Sequence, residues 1–509
     1  MKTPHTWRRA ALFGATMWTL ASGCGSATDT DTPEATPPST PEVAQSESLH
    51  PERRGIGALP LEKHTGPSAM TVIVDPRRSL VVTDQAILTK FPFQAVMNQL
   101  VSTSGTPTTA LGLFNQWWDT ARVAPGLGLG PNCNSPGVAN MNGFPYTCPR
   151  PEGSQALVDP FTSATTNPNA YIALGLFNRF DLAPANGANC GEYRIVFAKR
   201  SGITNGGDRN LIIFEAVLPN PLPTRGLDGC RPVTDFWTSL TSDPDVNSRG
   251  NRLRDFYFTG IPSWGVMPVL HIDNLGNRPT DTGQVRSNQF MQANWLLREF
   301  KMRRDCSTSP CTLRFIPVTV KTNPGGTLFN PASAHALAPN FQGLTFPGQV
   351  APLAVNDINL FNMNLPDAFN SGQSDAQNPL ENQYLNQFGA APSPFRTNIQ
   401  TALTAIPSTL TPDQVVARSL ALSCAGCHQF SNGANLGGGI LWPFSLRFVH
   451  ISEQTEPGPH GPRHQISPAL TGTFIPHRKA VFETFINSSC GDAVCSAWET
   501  HASCSADCP

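Results

Sequence analysis

The segment "SCAGCHQF", residues 423–430, contains the three residues whose types and spacing point most directly to chemistry: Cys424, Cys427 and His428. Two thiols three residues apart lie about one helical turn apart, so each can add to a vinyl group of the same haem while the adjacent imidazole binds the iron. At this composition a C-x-x-C-H pattern arises by chance in roughly one chain in a hundred. The pattern therefore predicts one haem c, with thioethers at Cys424 and Cys427 and with His428 as the proximal iron ligand.

The residues before the motif predict a helix that positions it. In "TPDQVVARSLALSC", residues 411–424, Thr411 is a suitable N-cap, Pro412 suits the first helical position and Gln414 completes a capping box. A helix that continued through the motif would turn both thiols toward one apolar pocket. The face that it would present comprises Val416, Leu420, Cys424 and Cys427.

The motif resembles the haem-attachment site of class I cytochrome c domains, whose two cysteines and histidine match Cys424, Cys427 and His428 one by one. The resemblance implies a small all-α domain, which we place at residues 396–488. It also implies a later helix that packs across the first, and "PHRKAVFETFIN", residues 476–487, is the candidate. An exported mono-haem protein of this kind would serve extracytoplasmic electron transfer or a haem-dependent oxidation.

The sixth iron ligand departs from that family. Class I domains usually supply a Met after the attachment site, whereas all nine Met of this chain precede it and the nearest is Met363. Three states stay open, namely bis-His iron, a Met from another domain, and an open sixth position. Our preferred distal ligand is His450 in "RFVHISE", followed by His460 and His464 in "PGPHGPRHQ".

Other interpretations of the cysteine pair stay open. A tetrahedral zinc site needs about two further ligands, which His450 or His464 would supply. A thioredoxin-type redox disulfide needs a strand-to-helix setting, whereas this pair follows a predicted helix. A structural disulfide would leave a surface binding or structural lipoprotein without haem. The sequence does not decide whether the protein is an enzyme. A candidate nucleophile, Ser263 in "IPSWG", lies in a segment without the first Gly of a nucleophile elbow, so we interpret it as a turn residue.

The first 23 residues predict an export signal. Lys2, Arg8 and Arg9 precede the apolar stretch "AALFGATMWTLAS", which is too short to span a bilayer, and small residues lead to Cys24. The segment resembles a bacterial lipoprotein signal, which implies lipidation of Cys24 and attachment to a membrane of the cell envelope, at the outer membrane or cell surface. Residues 24–64 are rich in Thr, Pro, Ser and acidic residues, a composition that predicts a disordered tether.

Composition and cysteine count favour an exported, loop-rich and strand-rich protein. A chain of 509 residues implies two or three domains, and a net charge of −1 gives no reason to expect nucleic acid as a partner. Thirteen cysteines less Cys24 and the motif pair leave ten, an even number suited to disulfides. Proximity predicts the pairs Cys133 with Cys148, Cys190 with Cys230, and Cys306 with Cys311. Residues 489–509 resemble the short Cys-rich repeats of bacterial surface proteins and predict a disulfide knot.

Residues 65–395 predict a β-rich domain of antiparallel sheets packed as a sandwich. The strand-like runs are "TVIVD", "SLVVTD", "GEYRIVFAKR", "RNLIIFEAVLPNP" and "TLRFIPVTVKT", and the helix candidates are "PFQAVMNQLVST" and the segment near "LLREFKMRR". "ALGLFN" occurs at residues 110–115 and again at 173–178, which we interpret as chance or a local packing element rather than duplicated domains. The expected fold class is thus mixed and β-rich: a sandwich-like main domain, a small all-α cytochrome c-like domain and a Cys-rich tail. Nothing in residues 65–395 indicates a substrate or a redox partner.

Overall fold

Most of the strand-forming runs join one antiparallel sheet of eight strands. The structure, a computed structural model, describes residues 55–58, 72–123, 132–133, 135, 140–289, 291 and 293–488. The strands of this part are β1 Val81–Val82, β2 Asn140–Met141, β3 Phe144–Pro145, β4 Tyr171–Arg179, β5 Asn189–Lys199, β6 Asn210–Pro219, β7 Gln284–Gln289, β8 Leu296–Asp305, β9 Thr312–Val318, β10 Gln373–Asp375, β11 Ile451–Gly458 and β12 Gly461–Ile466.

The helices surround this sheet. The α-helices of the described residues are α1 Pro76–Ser79, α2 Gln85–Leu88, α3 Phe93–Ser104, α4 Ala110–Asp119, α5 Arg231–Ser242, α6 Val246–Phe258, α7 Ala338–Asn340, α8 Val350–Leu353, α9 Tyr384–Phe388, α10 Pro394–Thr404, α11 Pro412–Leu422 and α12 Ile475–Asn487. Three π-helical turns span Phe341–Thr345, Gly426–Phe430 and Leu470–Phe474. Short 3-10 helices span Gly55–Ala58, Pro151–Leu157, Phe180–Leu182, Arg200–Ile203, Gly206–Asp208, Pro223–Cys230, Pro262–Trp264, Ile272–Asn274, Gly326–Phe329, Pro347–Gln349 and Asp367–Phe369.

The strand order in the large sheet is β1-β4-β5-β6-β7-β8-β10, and β9 also pairs with β8. Strand β10 lies along the start of β8, from Leu296 to Arg298, and β9 lies along its remainder, from Glu299 to Asp305. Strands β5 and β6 form a hairpin across the Gly-rich connection at residues 200–209. Large apolar residues alternate with smaller or polar residues along β5. Because successive side chains of a strand point to opposite faces, one face of β5 is apolar.

One face of the sheet is apolar and packs on helices. Phe93 of α3 lies 5.0 Å from Phe197 between ring centroids, Tyr193 lies 5.9 Å from Trp237 of α5, and Trp117 of α4 stacks on a β9 phenylalanine. These side chains are almost completely buried. Complete burial of one such side chain contributes about 1.5–3 kcal/mol, so this face anchors the main hydrophobic core. A second core joins helices α7 to α11.

The other face of the sheet, which we call the polar face, carries charged residues that the register aligns across strands. Arg194 pairs with Glu215, and Arg286 pairs with Glu299, as direct cross-strand neighbours. A polar face of this kind is usually left to solvent in an antiparallel sheet. Here residues 423–488, which we call the C-terminal cover, lie against it. Asn288 donates to the carbonyl of Phe448 at 3.0 Å, and Arg209 pairs with Glu453 of β11 at 2.9 Å.

The prediction of a mixed, β-rich fold with an antiparallel sheet is confirmed. The sequence predicts a sandwich of packed sheets, whereas the described residues form one eight-stranded sheet and two two-stranded sheets. A small all-α domain is not shown for residues 396–488 either. That segment contains the hairpin β11–β12, and Phe482 and Phe485 of α12 contact Phe180 in the main core.

Several local predictions have clear outcomes. "PFQAVMNQLVST" forms α3, and the three disulfides predicted for residues 133–311 are present. The helix predicted near "LLREFKMRR" is wrong, because this segment is the strand β8, paired on both sides. Of "TVIVD", the described residues 72–75 precede α1 without strand pairing. "ALGLFN" forms a helix in α4 and a strand in β4, so the two copies are not a structural repeat.

The N-terminal and C-terminal predictions lie largely outside the described residues. These are the signal at residues 1–23, the lipidation of Cys24, most of the tether and the Cys-rich tail at 489–509. Within the tether range, Gly55–Ala58 form a 3-10 helix in which Ile56 is buried and its N–H donates to the carbonyl of Ala183 at 2.7 Å. No helix in the described ranges has the length and apolar character needed to cross a bilayer.

Candidate functional site

The C-x-x-C-H motif follows α11 and lies on the polar face. The capping box of Thr411 and Gln414 is present, and Pro412 begins the helix, as predicted. The helix ends at Leu422, whereas a continuous helix through the motif would include Ser423 and extend to His428. Ser423 explains the break: its hydroxyl donates to the carbonyl of Leu420 at 2.8 Å and accepts from the N–H of Gly426 at 3.0 Å.

The motif residues therefore occupy a separate turn, which ends in the π-helix Gly426–Phe430. The predicted common face of Val416, Leu420, Cys424 and Cys427 is interrupted at Ser423. What fixes the turn is contact with the sheet, since the N–H of Ala425 donates to the hydroxyl of Ser374 in β10 at 2.9 Å.

The two motif cysteines are not bonded to each other, although the other six described cysteines form disulfides. Cys424 packs in a cluster with Trp295 and Phe448. Burial raises the pKa of the Cys424 thiol to about 11, so this sulphur is a neutral thiol at physiological pH. Cys427 lies in an adjacent cluster, and its Sγ is 3.3 Å from Nε2 of His450.

His428 is held as a neutral imidazole with one nitrogen available. Its Nδ1 lies 2.8 Å from the carbonyl oxygen of Phe448. Because a carbonyl only accepts, the proton is on Nδ1 and Nε2 keeps its lone pair. Burial lowers the pKa of His428 to about 4, which maintains this neutral form. Nε2 has no hydrogen-bond partner in the described part of the chain, and Trp295 packs beside the ring at 5.2 Å.

Backbone strain lies at the residue that orients His428. Arg447 and Phe448 have φ values of 50° and 70°, in the left-handed region that non-glycine residues avoid. This conformation presents the Phe448 carbonyl to both His428 and Asn288. Such strain persists only where surrounding contacts determine it, and it concentrates at functional sites.

The structure brings His450, the preferred distal ligand, beside the motif. Its ring centroid lies 4.7 Å from that of His428, Nδ1 lies 2.8 Å from the hydroxyl of Ser467, and Nε2 contacts the Cys427 thiol. Burial, together with the neighbouring His428 and Arg478, lowers the pKa of His450 well below its ordinary value. His450 is therefore neutral as well, and its role as the sixth ligand stays a prediction.

The structure places the other candidate ligands on the β11–β12 hairpin and in the second core. His464 is buried in β12, where its backbone N–H donates to Thr83 at 3.0 Å. His460 lies in the turn between β11 and β12. Met363 is buried in the second core.

Four charged residues of the polar face influence the pKa of the Cys424 thiol: Glu215, Glu299, Arg194 and Arg286. Burial alone would raise the carboxyl pKa values, but Arg194 and Arg286 bring that of Glu215 below its ordinary value, and Arg286 with two lysines does the same for Glu299. Both carboxylates are therefore ionised. Arg286 opposes the rise in the pKa of the Cys424 thiol, so the network extends to the motif.

The alternative chemistries find less support. The described residues contain no group of three or more His, Cys, Asp or Glu side chains arranged to hold a metal ion, so the geometry of a zinc site and the broader metal-binding prediction are not supported. Ser263 lies in an exposed 3-10 turn, as interpreted from the sequence. His271 and Asp273 contact each other at 3.5 Å in a separate 3-10 turn.

Sequence reasoning missed the residues that the fold brings to the motif from distant strands and loops, namely Ser374, Trp295, Phe448, Arg286, Ser467 and Arg478. One signal was present for β8, the strand that follows Trp295. Phe300 and Met302 alternate there with Glu299 and Lys301, a pattern that is typical of a strand rather than a helix. The loop residues carried no comparable pattern.

Comparison of the chain with models of protein families, with curated proteins and with solved structures found no match. The function is therefore argued from the site alone.

Proposed function

We propose that this chain is an exported c-type haem protein that transfers electrons outside the cytoplasm. Cys424 and Cys427 would hold the haem through thioethers, and His428 would bind its iron through Nε2. A haem in this position supplies a one-electron redox centre. The lipid at Cys24 would attach the protein to the cell envelope, and the three described disulfides support an oxidising compartment.

The observation that carries the proposal is the state of His428. Metal-bound histidines almost always donate their second ring N–H to a carbonyl, carboxylate or water, which fixes the tautomer and turns the other nitrogen to the metal. The contact of Nδ1 with Phe448 provides this arrangement, and Nε2 is unengaged among the described residues. Neither Cys424 nor Cys427 is in a disulfide, which matches the second requirement, because a thioether forms from a thiol.

A second arrangement at the same site deserves comparison. Cys427, His450 and Ser467 are in series, which is also the order of a cysteine nucleophile, its base and an orienting group. Such a dyad works through a thiolate and an imidazolium. Burial lowers the pKa of His450 well below its ordinary value, so the imidazolium is disfavoured. The enclosed site therefore disfavours the ion pair on which such a dyad depends.

The test is a pyridine haemochrome spectrum of the full chain made together with a c-type maturation system, after acidic acetone extraction. We expect a c-type band that survives extraction and is lost in Cys424→Ser/Cys427→Ser. The control is Cys306→Ser/Cys311→Ser, which also removes two sulphurs but lies in the loop between β8 and β9 and should keep the band.

Absence of the band, while a known cytochrome matures in the same cells, would refute the proposal and favour a structural or binding lipoprotein. If the band is present, the spectrum of His450→Ala tests the sixth ligand. Loss of a low-spin signal would identify His450 as the sixth ligand, and an unchanged spectrum would exclude His450 from that role.

A further inference from the structure

Asn288 of β7 connects the sheet to the backbone that orients His428. The residue is buried, with 1% of its surface exposed. Its Nδ2 donates to the carbonyl of Phe448 at 3.0 Å, and its Oδ1 accepts from the indole N–H of Trp295. The same Phe448 carbonyl lies 2.8 Å from Nδ1 of His428. One backbone carbonyl therefore receives two donors, one from the sheet and one from the motif.

The partners of Asn288 fix the orientation of its amide. An indole nitrogen only donates, so the atom of Asn288 that faces Trp295 is its oxygen. A backbone carbonyl only accepts, so the atom that faces Phe448 is the amide nitrogen. Neither contact could form with the amide reversed. Trp295 therefore holds Asn288 as a donor to Phe448.

The Phe448 carbonyl belongs to a strained turn. The N–H of Leu446 donates to the carbonyl of Val449 at 2.7 Å, so Arg447 and Phe448 are the two central residues of a tight turn. Both have positive φ, a conformation for which Gly and Asn are the usual residues. Such a turn persists only where contacts from outside determine it. Asn288 supplies one such contact from a strand 160 positions away in the chain.

We propose that Asn288 is a positioning residue for His428. A carbonyl partner is common to histidines that bind metals, and the additional feature here is a sheet residue that holds the carbonyl in place. Without Asn288 the turn can relax and the Phe448 carbonyl can move away from Nδ1, so the preference of the proton for Nδ1 weakens. The consequence for iron binding rests on the proposed function, whereas the consequence for the tautomer of His428 does not.

The first arm of the test uses the full chain made without a c-type maturation system and labelled with a nitrogen isotope in histidine. Ring-nitrogen NMR shifts report which nitrogen of His428 carries the proton, and comparison with His428→Gln assigns the signals. Asn288→Leu keeps a similar volume and loses both contacts. In this variant the ratio of the Nδ1–H form to the Nε2–H form should fall about two- to tenfold, the effect of one lost hydrogen bond.

A second variant and a matched control accompany Asn288→Leu. Trp295→Phe keeps an aromatic ring beside His428 but removes the indole donor, so the ratio should fall by less; it supplies the measurement if Asn288→Leu fails to fold. The control is Asn178→Leu. Asn178 is also 1% exposed, donates to the Ser79 carbonyl at 3.1 Å and accepts from a backbone N–H. Its substitution removes the same number of contacts and should leave the tautomer of His428 unchanged.

The second arm uses the haem-loaded chain and measures its midpoint potential. A carbonyl on Nδ1 raises the basicity of a ligating histidine, and a more basic ligand favours the oxidised iron. Asn288→Leu should therefore raise the potential, whereas Asn178→Leu should leave it unchanged.

The outcomes separate the positioning role from the proposed function. A tautomer ratio in Asn288→Leu equal to that in Asn178→Leu would overturn the positioning role, whatever the haem result. A lower ratio without a haemochrome band would keep the positioning role and overturn the proposed function. A band together with equal potentials in the two variants would overturn the consequence for iron binding.

Discussion

Arg418 should be the most stability-critical residue of the helix that leads to the motif. Its guanidinium is completely buried and donates to four backbone carbonyls, at 2.8 Å to Leu436, 2.9 Å to Leu353, 2.8 Å to Val355 and 3.1 Å to Gly437. Leu353 ends α8 and Val355 follows it, whereas Leu436 and Gly437 lie in the Gly-rich loop after the motif. Arg418 therefore ties α11 to the loop after α8 and to the Gly-rich loop that follows the motif.

The magnitude follows from the hydrogen bonds and from the buried charge. Four bonds from a charged donor, at about 1.5–3 kcal/mol each, give a gross contribution of about 6–12 kcal/mol. Burial lowers the pKa of Arg418 to about 10, and at about 1.4 kcal/mol per pKa unit this charge burial costs about 3 kcal/mol. Arg418→Met, which keeps the packing volume, should therefore cost at least about 3 kcal/mol.

The assay is urea denaturation followed by Trp fluorescence, with an unchanged m-value required for the comparison. Arg396→Met is the matched control, because Arg396 pairs with Asp413 at the surface and such pairs contribute about 0–1 kcal/mol. Arg418→Lys should fall between the two, since an ammonium keeps the charge but reaches fewer carbonyls. A loss below about 1 kcal/mol for Arg418→Met, equal to that of the control, would refute this reasoning.

Two further predictions concern pH dependence and backbone strain. Burial raises the pKa of Glu381 to about 7, so the folded protein keeps a proton that the unfolded chain releases near pH 4.5. The unfolding free energy should therefore fall by about 2–3 kcal/mol between about pH 4.5 and 7, and Glu381→Gln should remove this slope in denaturation curves taken across that range. Arg447→Gly should stabilise the fold by about 0.5–1 kcal/mol, measured as a raised denaturation midpoint, because the exposed Arg447 has a φ of 50° that glycine adopts without penalty; an unchanged or lower midpoint would show that this backbone is not strained.

Local signals predicted local structure well where tertiary contacts agreed with them. The capping box of Thr411 and Gln414 begins α11 as the sequence indicates. "ALGLFN" shows the opposite case, because one copy is helical in α4 and the other is a strand in β4. The second copy pairs with β5 along its length, so long-range hydrogen bonds decide its conformation. A hexapeptide does not contain that information.

The failure at "LLREFKMRR" has the same origin. Leu, Arg, Glu, Lys and Met are good helix formers, so propensity favours a helix. The segment instead lies inside the sheet as β8, between β7 on one side and β9 and β10 on the other. Burial of Arg298 and Glu299, both 1% exposed, depends on partners far along the chain.

For the candidate site, the sequence predicted the C-x-x-C-H motif and the position of His450 beside it, but not the residues that surround them. Cys424, Cys427 and His428 form a contiguous pattern, and His450 follows closely enough to be proposed. Arg286 and Arg478 approach the motif only because the sheet and α12 fold around it. Their spacing along the chain is irregular, so no motif search could have grouped them.

The covered polar face also bears on the order in which the protein folds. Chains are made from the N-terminus, so β4 to β10 are complete before the C-terminal cover, residues 423–488, exists. An apolar face exposed during that interval would favour aggregation. The polar face instead stays hydrated before the cover is made, because it carries the charged residues Arg194, Glu215, Arg286 and Glu299. The partly synthesised chain therefore exposes a polar surface until residues 423–488 are made, and only then does the space around the motif close.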